Sequence, residues 1–422
     1  MFIIYDLIFL IIALVTLPVY LWKRKFHADF GLRLGCLPQD LNLERPIWLH
    51  AVSVGETISL KKLIEGLRQE YPQQKFVIST VTATGNKIAK SLAWEGDFVT
   101  YLPLDFSFIV RLVIDRINPK LFVITETEVW PNLINYLHKK NIPIVVVNGK
   151  ISQQSFNGYK RIRPLVSAVL NRISLFCMRT AEDAQRLIAL GVAQNKVHVT
   201  GNMKFDNTDF GFSKINPQEY RRKLGLADQD KLFVAASTHE GEEEIVLNTY
   251  QELKQEFPDL KLLIAIRHPE RSKEVAKLVS KFGFEPMPIS QIALTTNYCL
   301  LPTTVFILDT IGQLMSFYAI ADIVFVGGSF VKKGGHNILE PANFGKPILF
   351  GPIMYNFRDI AELFLKKEAA VSVANQEELK QKIGYLLRNT LEGQAMAENA
   401  RKIIVENKGA SQRNLAYLKS LN

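Results

Sequence analysis

Residues 51–56 read AVSVGE and residues 235–242 read AASTHEGE. Each runs from an apolar stretch into small residues and then a glutamate, the pattern of a buried strand breaking into a tight turn where a helix begins. Around the first, short β-rich runs at 47–51, 76–81, 98–101, 121–125, 144–147, 175–178 and 197–199 alternate with segments of helical period. Around the second, the same alternation gives 232–236, 262–266, 305–308, 323–326, 348–350 and 371–373. Strands that alternate with helices build parallel sheets with crossover helices. The stretch 206–216 is poor in long apolar side chains and Pro217 closes it, so the linker is placed there. The expectation is an α/β chain of two similar doubly wound units, 26–210 and 211–422, facing each other across a cleft and preceded by an N-terminal segment 1–25. A polar helical tail spans 392–418, its last helix a candidate to pack back on the N-terminal unit. Ligands in such sheets bind beyond the carboxyl ends of the strands, where both quoted turns lie.

A chain of 422 residues outgrows one hydrophobic core, and its 48% hydrophobic content argues against disorder. Cys36, Cys177 and Cys299 are odd in number and far apart, which argues against a disulfide framework or a clustered thiolate site and fits a reducing compartment. The formal charge of +10 attracts nucleic acid, anionic lipid and phosphorylated substrates through the same Coulomb term, so it does not choose among them. No basic run interleaved with aromatics and no zinc-finger spacing occurs, so nucleic acid is not an expected partner.

Residues 2–22 are nearly continuous apolar sequence, close to the ~20 residues that one bilayer-spanning helix requires, and Lys23, Arg24 and Lys25 follow. In a cleaved signal peptide the basic cluster comes first and a small-x-small site ends the run; neither holds here. The expectation is a single inner-membrane anchor over 1–25, with the catalytic domains on the cytoplasmic face against an anionic lipid surface. Asp6 and Pro18 interrupt the span, which keeps a helix lying in the interface as the alternative.

No G-x-G-x-x-G after a strand, no G-x-x-x-x-G-K-[ST] and no H-E-x-x-H occurs, which argues against dinucleotide, P-loop and zincin chemistry. Asp228-Gln229-Asp230 stands in a turn before a strand and reads as solvated, so neither a metal nor a cofactor is expected. Glu56 follows Val54-Gly55 at a strand-to-helix junction. Two readings fit it: a carboxylate stabilised by the helix start, or a general base within reach of a hydroxyl. The next strand ends carry Thr80, Thr82, Thr84, Gly85 and Asn86, then Glu126, Glu128, Trp130 and Asn132. Turn chemistry explains most of these singly, while their collection at strand ends makes them candidate acceptor contacts. In the second half, Gly327-Gly328-Ser329 ends a strand, and Gly334-Gly335-His336-Asn337 is expected to open a helix continuing to Glu340-Pro341. Glycines let a phosphate approach the backbone, and the N–H groups of a helix start hold an anion. Arg267 and Arg271 follow a strand directly and are candidate clamps for phosphate or carboxylate, or partners in surface ion pairs.

Seven ordered blocks carry a resemblance: WLHAVSVGE (48–56), TVTATGNKIAK (80–90), ETEVWPNL (126–133), TGNMKFD (200–206), AASTHEGEE (235–243), HPER (268–271) and GGSFVKKGGHNILEPANFGKPILFGP (327–352). Together they resemble the 3-deoxy-D-manno-octulosonic acid (Kdo) transferases of lipopolysaccharide assembly over nearly the whole chain. The resemblance implies a GT-B fold, with an N-terminal acceptor-binding and a C-terminal CMP-Kdo-binding Rossmann-like domain. It implies an inverting, metal-independent transfer of Kdo from CMP-Kdo to the lipid A precursor lipid IVA. It carries Glu56 over as the base and Glu340 as the ligand of the ribose hydroxyls. The implied donor site adds Ser237, Thr238, Arg267, His268 and Arg271, together with Gly327, Gly328, Ser329, Gly334, Gly335, His336 and Asn337. The implied acceptor site adds Ser53, Gly55, Thr82, Thr84, Gly85 and Asn86, together with Glu126, Glu128 and Trp130. Another GT-B nucleotide-sugar transferase or an epimerase would share the two domains, and a non-catalytic membrane-associated binding protein would share the anchor.

Overall fold

The computed structural model describes residues 5–7, 9–11, 13–15, 28–208, 215–292 and 301–421. The chain divides into two compact units, residues 1–207 with 407–422, and residues 208–406.

The first unit holds seven parallel strands: β1 Ile47–His50, β2 Phe76–Thr80, β3 Phe98–Tyr101, β4 Leu121–Thr125, β5 Ile144–Gly149, β6 Leu175–Met178 and β7 Val197–Val199. They lie in the order β3-β2-β1-β4-β5-β6-β7. Every residue of β1, β2, β4 and β5 is buried, because helices cover both faces of the sheet. Alternate side chains feed two cores: Trp48, Val77 and Phe122 enter one, and Ile47, Leu49, Ile78 and Val123 enter the other. Trp48 stays fully buried because its indole N–H donates to Ser79 Oγ at 2.8 Å and its ring meets Phe122 edge-on. β1 pairs with both β2 and β4, so the connectivity reverses there and a crevice opens at the turn after β1.

The end of the chain returns to this unit. Helix Ala410–Lys419 packs on helix Lys61–Glu70, where Gly66 is bare because a Cβ would stand 2.8 Å from Leu415 Cδ2. Asp206 accepts the backbone N–H of Gly409 at 2.6 Å and that of Ser411, which caps the returning helix. The polar helical tail consists of two helices, Thr390–Asn407 and Ala410–Lys419, broken at Gly409 with φ +88°.

The second unit repeats the plan with β8 Lys231–Thr238, β9 Leu260–Ile266, β10 Glu285–Pro288, β11 Thr304–Leu308, β12 Ile323–Val326, β13 Ile348–Phe350 and β14 Val371–Ser372. The order is β10-β11-β9-β8-β12-β13-β14, and the reversal falls between β8 and β12. The sequence pattern gives no sign of β10, whose residues are EPMP; two prolines are tolerated because it is an edge strand.

The anchor expected over residues 1–25 falls mostly outside the described residues, Lys23, Arg24 and Lys25 included. Among the described residues no helix is long and apolar enough to cross a membrane. Asp6, an interruption in the apolar run, has partners in the first unit. It accepts from Ser107 N at 3.1 Å, Ser107 Oγ at 2.5 Å and Asn132 Nδ2 at 2.7 Å. Phe9 packs edge-on against Phe106, while Leu10, Ile11, Leu14 and Val15 stay exposed.

Candidate active site

Beyond β1, Ser53 takes the N-cap position of helix Val54–Ser59, which puts Glu56 in the first turn. The Glu56 carboxylate folds back on its own turn: Oε2 accepts Val52 N–H and Oε1 accepts Ser53 Oγ–H, both at 2.8 Å. Burial and the neighbouring Glu126 carboxylate outweigh those two hydrogen bonds, with Glu128 adding to the same side, and push Glu56 up to about 7. A carboxyl group that titrates near neutrality is matched to general-base work. Gly55 beside it is exposed, and nothing stands where a side chain would be, so the helix start is bare next to the carboxylate.

The second turn is fitted to the first. Thr82 Oγ1 accepts Gly85 N–H at 3.1 Å and reaches Val52 O at 3.4 Å. A Cβ on Gly85 would meet Thr82 Oγ1 at 2.9 Å and the Ser53 carbonyl carbon at 3.4 Å, so glycine here allows close packing. Asn86 is buried and its amide donates to Thr100 O at 3.1 Å. Gly85 and Asn86 hold the turn in place and offer no free side-chain group, whereas Thr82 and Thr84 face solvent. At the end of β4, Glu126 adopts φ +62° and accepts from the Arg179 guanidinium, whose Nε donates to Asn148 O at 3.1 Å. Asn148 (φ +55°) and, in the second unit, Ser237 (φ +56°) share that conformation. Holding a non-glycine residue there costs about 1 kcal/mol or more, and all three lie at carboxyl ends of strands. Glu128 is raised by burial and by Glu126. Trp130 is half-buried, and its indole N–H is enclosed without a hydrogen-bond partner. Asn132 is spent on Asp105, its amide donating to Asp105 O at 2.6 Å.

In the second unit the structure corrects three expectations. The N–H groups of the Gly327–Ser329 turn are not open to a phosphate. The fully buried Glu242 carboxylate accepts the N–H of Gly328 at 2.7 Å, Ser329 at 3.0 Å, Phe330 at 2.9 Å and His239 at 3.0 Å. Gly327 is glycine because a Cβ would stand 2.8 Å from Ser237 O and 2.9 Å from Glu242 Oε2. Ser329 is buried too, its Oγ donating to Val326 O and accepting from Gly351 N–H, and Thr238 is buried at the end of β8. Second, Gly334 to Asn337 do not open a helix. They form a loop, and the helix is the five-residue Leu339–Asn343, whose start is met by Asn337 Oδ1 accepting Leu339 N–H at 3.1 Å. Gly334 (φ +88°) presses on Tyr355 and Gly335 (φ +73°) on Met354, so these glycines serve packing, and so short a helix has little dipole to offer an anion. Third, Arg271 is committed to Glu243 at 2.9 Å and Glu274 at 2.8 Å, which hold its guanidinium above its ordinary value. Arg267 is exposed, and among the described residues its guanidinium has no hydrogen bond or ion pair.

What remains near Arg267 is a largely basic surface whose acids are Glu340 and Glu270, the latter 3.2 Å from His268 Nδ1. His239 Nε2 and His336 Nε2 lie 2.8 Å apart with their ring planes 10° from parallel, and His268 stands edge-on to His239. Burial drives both His239 and His336 down to about 4; His268, Lys333, Arg267 and Arg271 add to this at His239, and His239, Arg267 and His268 at His336. Glu340, half-buried, is pushed up to about 7 by burial, against a 3.1 Å hydrogen bond from Asn337 and the charge of Arg267. A cationic surface beside a hydrogen-bonding carboxyl suits a phosphorylated ligand that carries hydroxyls. His239, Lys333, Glu242 and Arg179 were not singled out from sequence. For His239 and Glu242 the available signal was their place in the turn directly after β8.

Residues 28–207 match the family described as 3-deoxy-D-manno-octulosonic-acid transferase (kdotransferase), and residues 290–403 match glycosyl transferases group 1. The 3-deoxy-D-manno-octulosonic acid transferase of Haemophilus influenzae is 34% identical to this chain, over 98% of this chain and 95% of the relative. That of Chlamydophila psittaci is 32% identical over 97% and 94%. Among solved structures, UDP-GlcNAc 2-epimerase from Neisseria meningitidis bound to UDP-GlcNAc shares the fold. Its TM-score is 0.56 at 14% identity, over 86% of this chain and 99% of that one. The chain therefore belongs to the 3-deoxy-D-manno-octulosonic acid transferase family of glycosyltransferases.

Proposed function

We propose that this transferase moves Kdo from CMP-Kdo to lipid IVA, with inversion at the anomeric carbon and without a metal, Glu56 taking the proton of the acceptor hydroxyl. The observation that carries this reading is the Glu56 carboxylate at the end of β1, raised to about 7 beside Glu126 and Glu128 and next to the bare Gly55. As the acceptor oxygen bonds to the anomeric carbon, the bond from that carbon to the phosphate oxygen breaks and negative charge gathers on CMP. An anomeric carbon bearing a carboxylate tolerates the oxocarbenium character this requires. Arg267, His268 and Lys333 meet the phosphate and the sugar carboxylate, since fixed cations stabilise charge that develops in the transition state. Glu340 and Asn337 take the ribose hydroxyls, and Ser53, Thr82, Thr84 and Trp130 line the acceptor side. The basic N-terminal flank and the apolar run before it hold the chain to an anionic inner-membrane surface. Incubation with radiolabelled CMP-Kdo and lipid IVA, with and without EDTA, tests the reading. Labelled lipid in both arms supports it. No transfer to lipid IVA refutes the acceptor, and loss in EDTA with rescue by magnesium refutes the metal-free mechanism.

A further inference from the structure

His239 and His336 meet through their Nε2 atoms at 2.8 Å, with ring planes 10° apart and centroids 5.1 Å apart. At that distance one nitrogen must donate and the other accept. The neutral pair therefore holds one proton in the shared contact and one on the Nδ1 of the acceptor ring. It has room for one more proton, on the remaining Nδ1, and for no second one, which would set two N–H groups head to head. Neither Nδ1 has a hydrogen-bond partner among the described residues. The contact is built into the backbone: Gly328 has φ +68°, and a Cβ there would stand 2.9 Å from His336 Cδ2.

The groups facing the pair come from every element around it. Arg267, His268 and Arg271 follow β9, and Lys333 lies in the loop after β12. On the acidic side, Glu242 is used by four backbone N–H groups, Glu243 and Glu274 by Arg271, Glu270 stands 3.2 Å from His268 Nδ1, and Glu340 lies near Arg267. An empty site thus opposes a further positive charge on the pair. A phosphate dianion among the same cations reverses the sign of that field.

We propose that His239 and His336 act as one proton-sharing pair, which gains a proton when the phosphate of CMP-Kdo binds and then offers an Nδ1–H group to the departing phosphate. The inference rests on the reading of this surface as the donor site. No oxidant or co-reactant is needed: solvent supplies the proton, and the pair enters the reaction as a single cation. With both rings replaced, the uptake at this contact has no place to go.

Calorimetric titration of the full chain with CMP at pH 7, in buffers of different ionisation enthalpy, counts the protons taken up on binding. Roughly half to one proton per CMP is expected, against none for cytidine, which lacks the phosphate. The double variant His239→Asn/His336→Asn should bind CMP without the uptake. Binding of CMP to the wild-type chain with no uptake overturns the proposal even if the double variant does not fold. Uptake that survives in the double variant overturns it as well. Failure of wild-type protein to bind CMP at all overturns instead the donor-site reading beneath it.

Discussion

At the scale of single residues, Glu56 is held between opposing forces of similar size. Two hydrogen bonds favour its ionised form, while burial and the Glu126 charge disfavour it, and the balance falls near neutrality. Because the base works only when deprotonated, the rate of the chemical step should rise with pH through about 7. Glu126→Gln removes the like charge and releases the Arg179 guanidinium, and both changes favour the Glu56 anion. The rising limb of the pH–rate profile should therefore move to lower pH; an unmoved limb would separate Glu126 from the titrating group. Glu56→Gln should lose about 10²–10⁴-fold in rate, the usual worth of a general base, while CMP-Kdo affinity and unfolding temperature stay nearly unchanged. Near-normal turnover by that variant would pass the role to Glu126 or Glu128. The residue types at this turn were legible in the sequence. The raised pKa was not, because it depends on burial in the folded unit and on a glutamate at the end of another strand.

At the scale of elements, the turns after β8 and β12 are joined by one buried carboxylate. Glu242→Ala would leave four backbone N–H groups enclosed without an acceptor, and losing such a charge-centred network costs about 3–5 kcal/mol. Urea unfolding should register that loss, with Glu242→Gln milder because its amide oxygen still accepts; a change below 1 kcal/mol for the alanine variant would mean that water replaces the carboxylate. The glycines of 327–335 looked, in sequence, like a phosphate cradle. Glycine-rich pattern reports only that backbone approaches something closely; here the partners are Glu242, His336, Tyr355 and Met354. Helix Ala410–Lys419 raises a parallel case. Leu418 is 1% exposed, so Leu418→Ala should destabilise the first unit by about 2–5 kcal/mol, visible as loss of amide protection in β1 and β2. Protection that falls only in the second unit would contradict the assignment of that helix.

At the scale of the whole molecule, acid should act unequally on the two units. In the first, Glu56 and Asp105 titrate near 7, above their unfolded values, so the folded state takes up protons first and gains stability as pH falls from 7 toward 4.5. His50, lowered to about 3 by full burial, opposes them below 6.5 but is one group against two. In the second, His239 and His336, lowered to about 4, offset the raised Glu340 and Glu243 as pH falls below 6.5, so acid stabilises this unit less than the first. One unbalanced group changes stability by at most about 1.4 kcal/mol per pH unit, less where solvent screens it. Hydrogen exchange at pH 6.5 and pH 5 should show protection in β8, β9 and β12 falling relative to β1, β2 and β4. A uniform change across both sheets would show that these shifts do not govern acid stability.

The sequence by itself determined the two α/β units and thirteen of the fourteen strands, because buried parallel strands must be written as short apolar runs between helical segments. It determined the family as well, since ordered motifs survive where single residues would not persuade. It missed β10, whose proline-rich residues carry no apolar signal. Tertiary structure alone decided which polar groups are already spent. Arg271 and Arg267 are the same residue type four positions apart, yet only Arg271 has glutamates from two neighbouring turns within reach. The Gly328 N–H looks free in sequence and is consumed by a carboxylate 86 positions away. Hydrogen bonds and charge act through space over a few ångströms, and the distances that decide them are set only once the strands have been laid side by side.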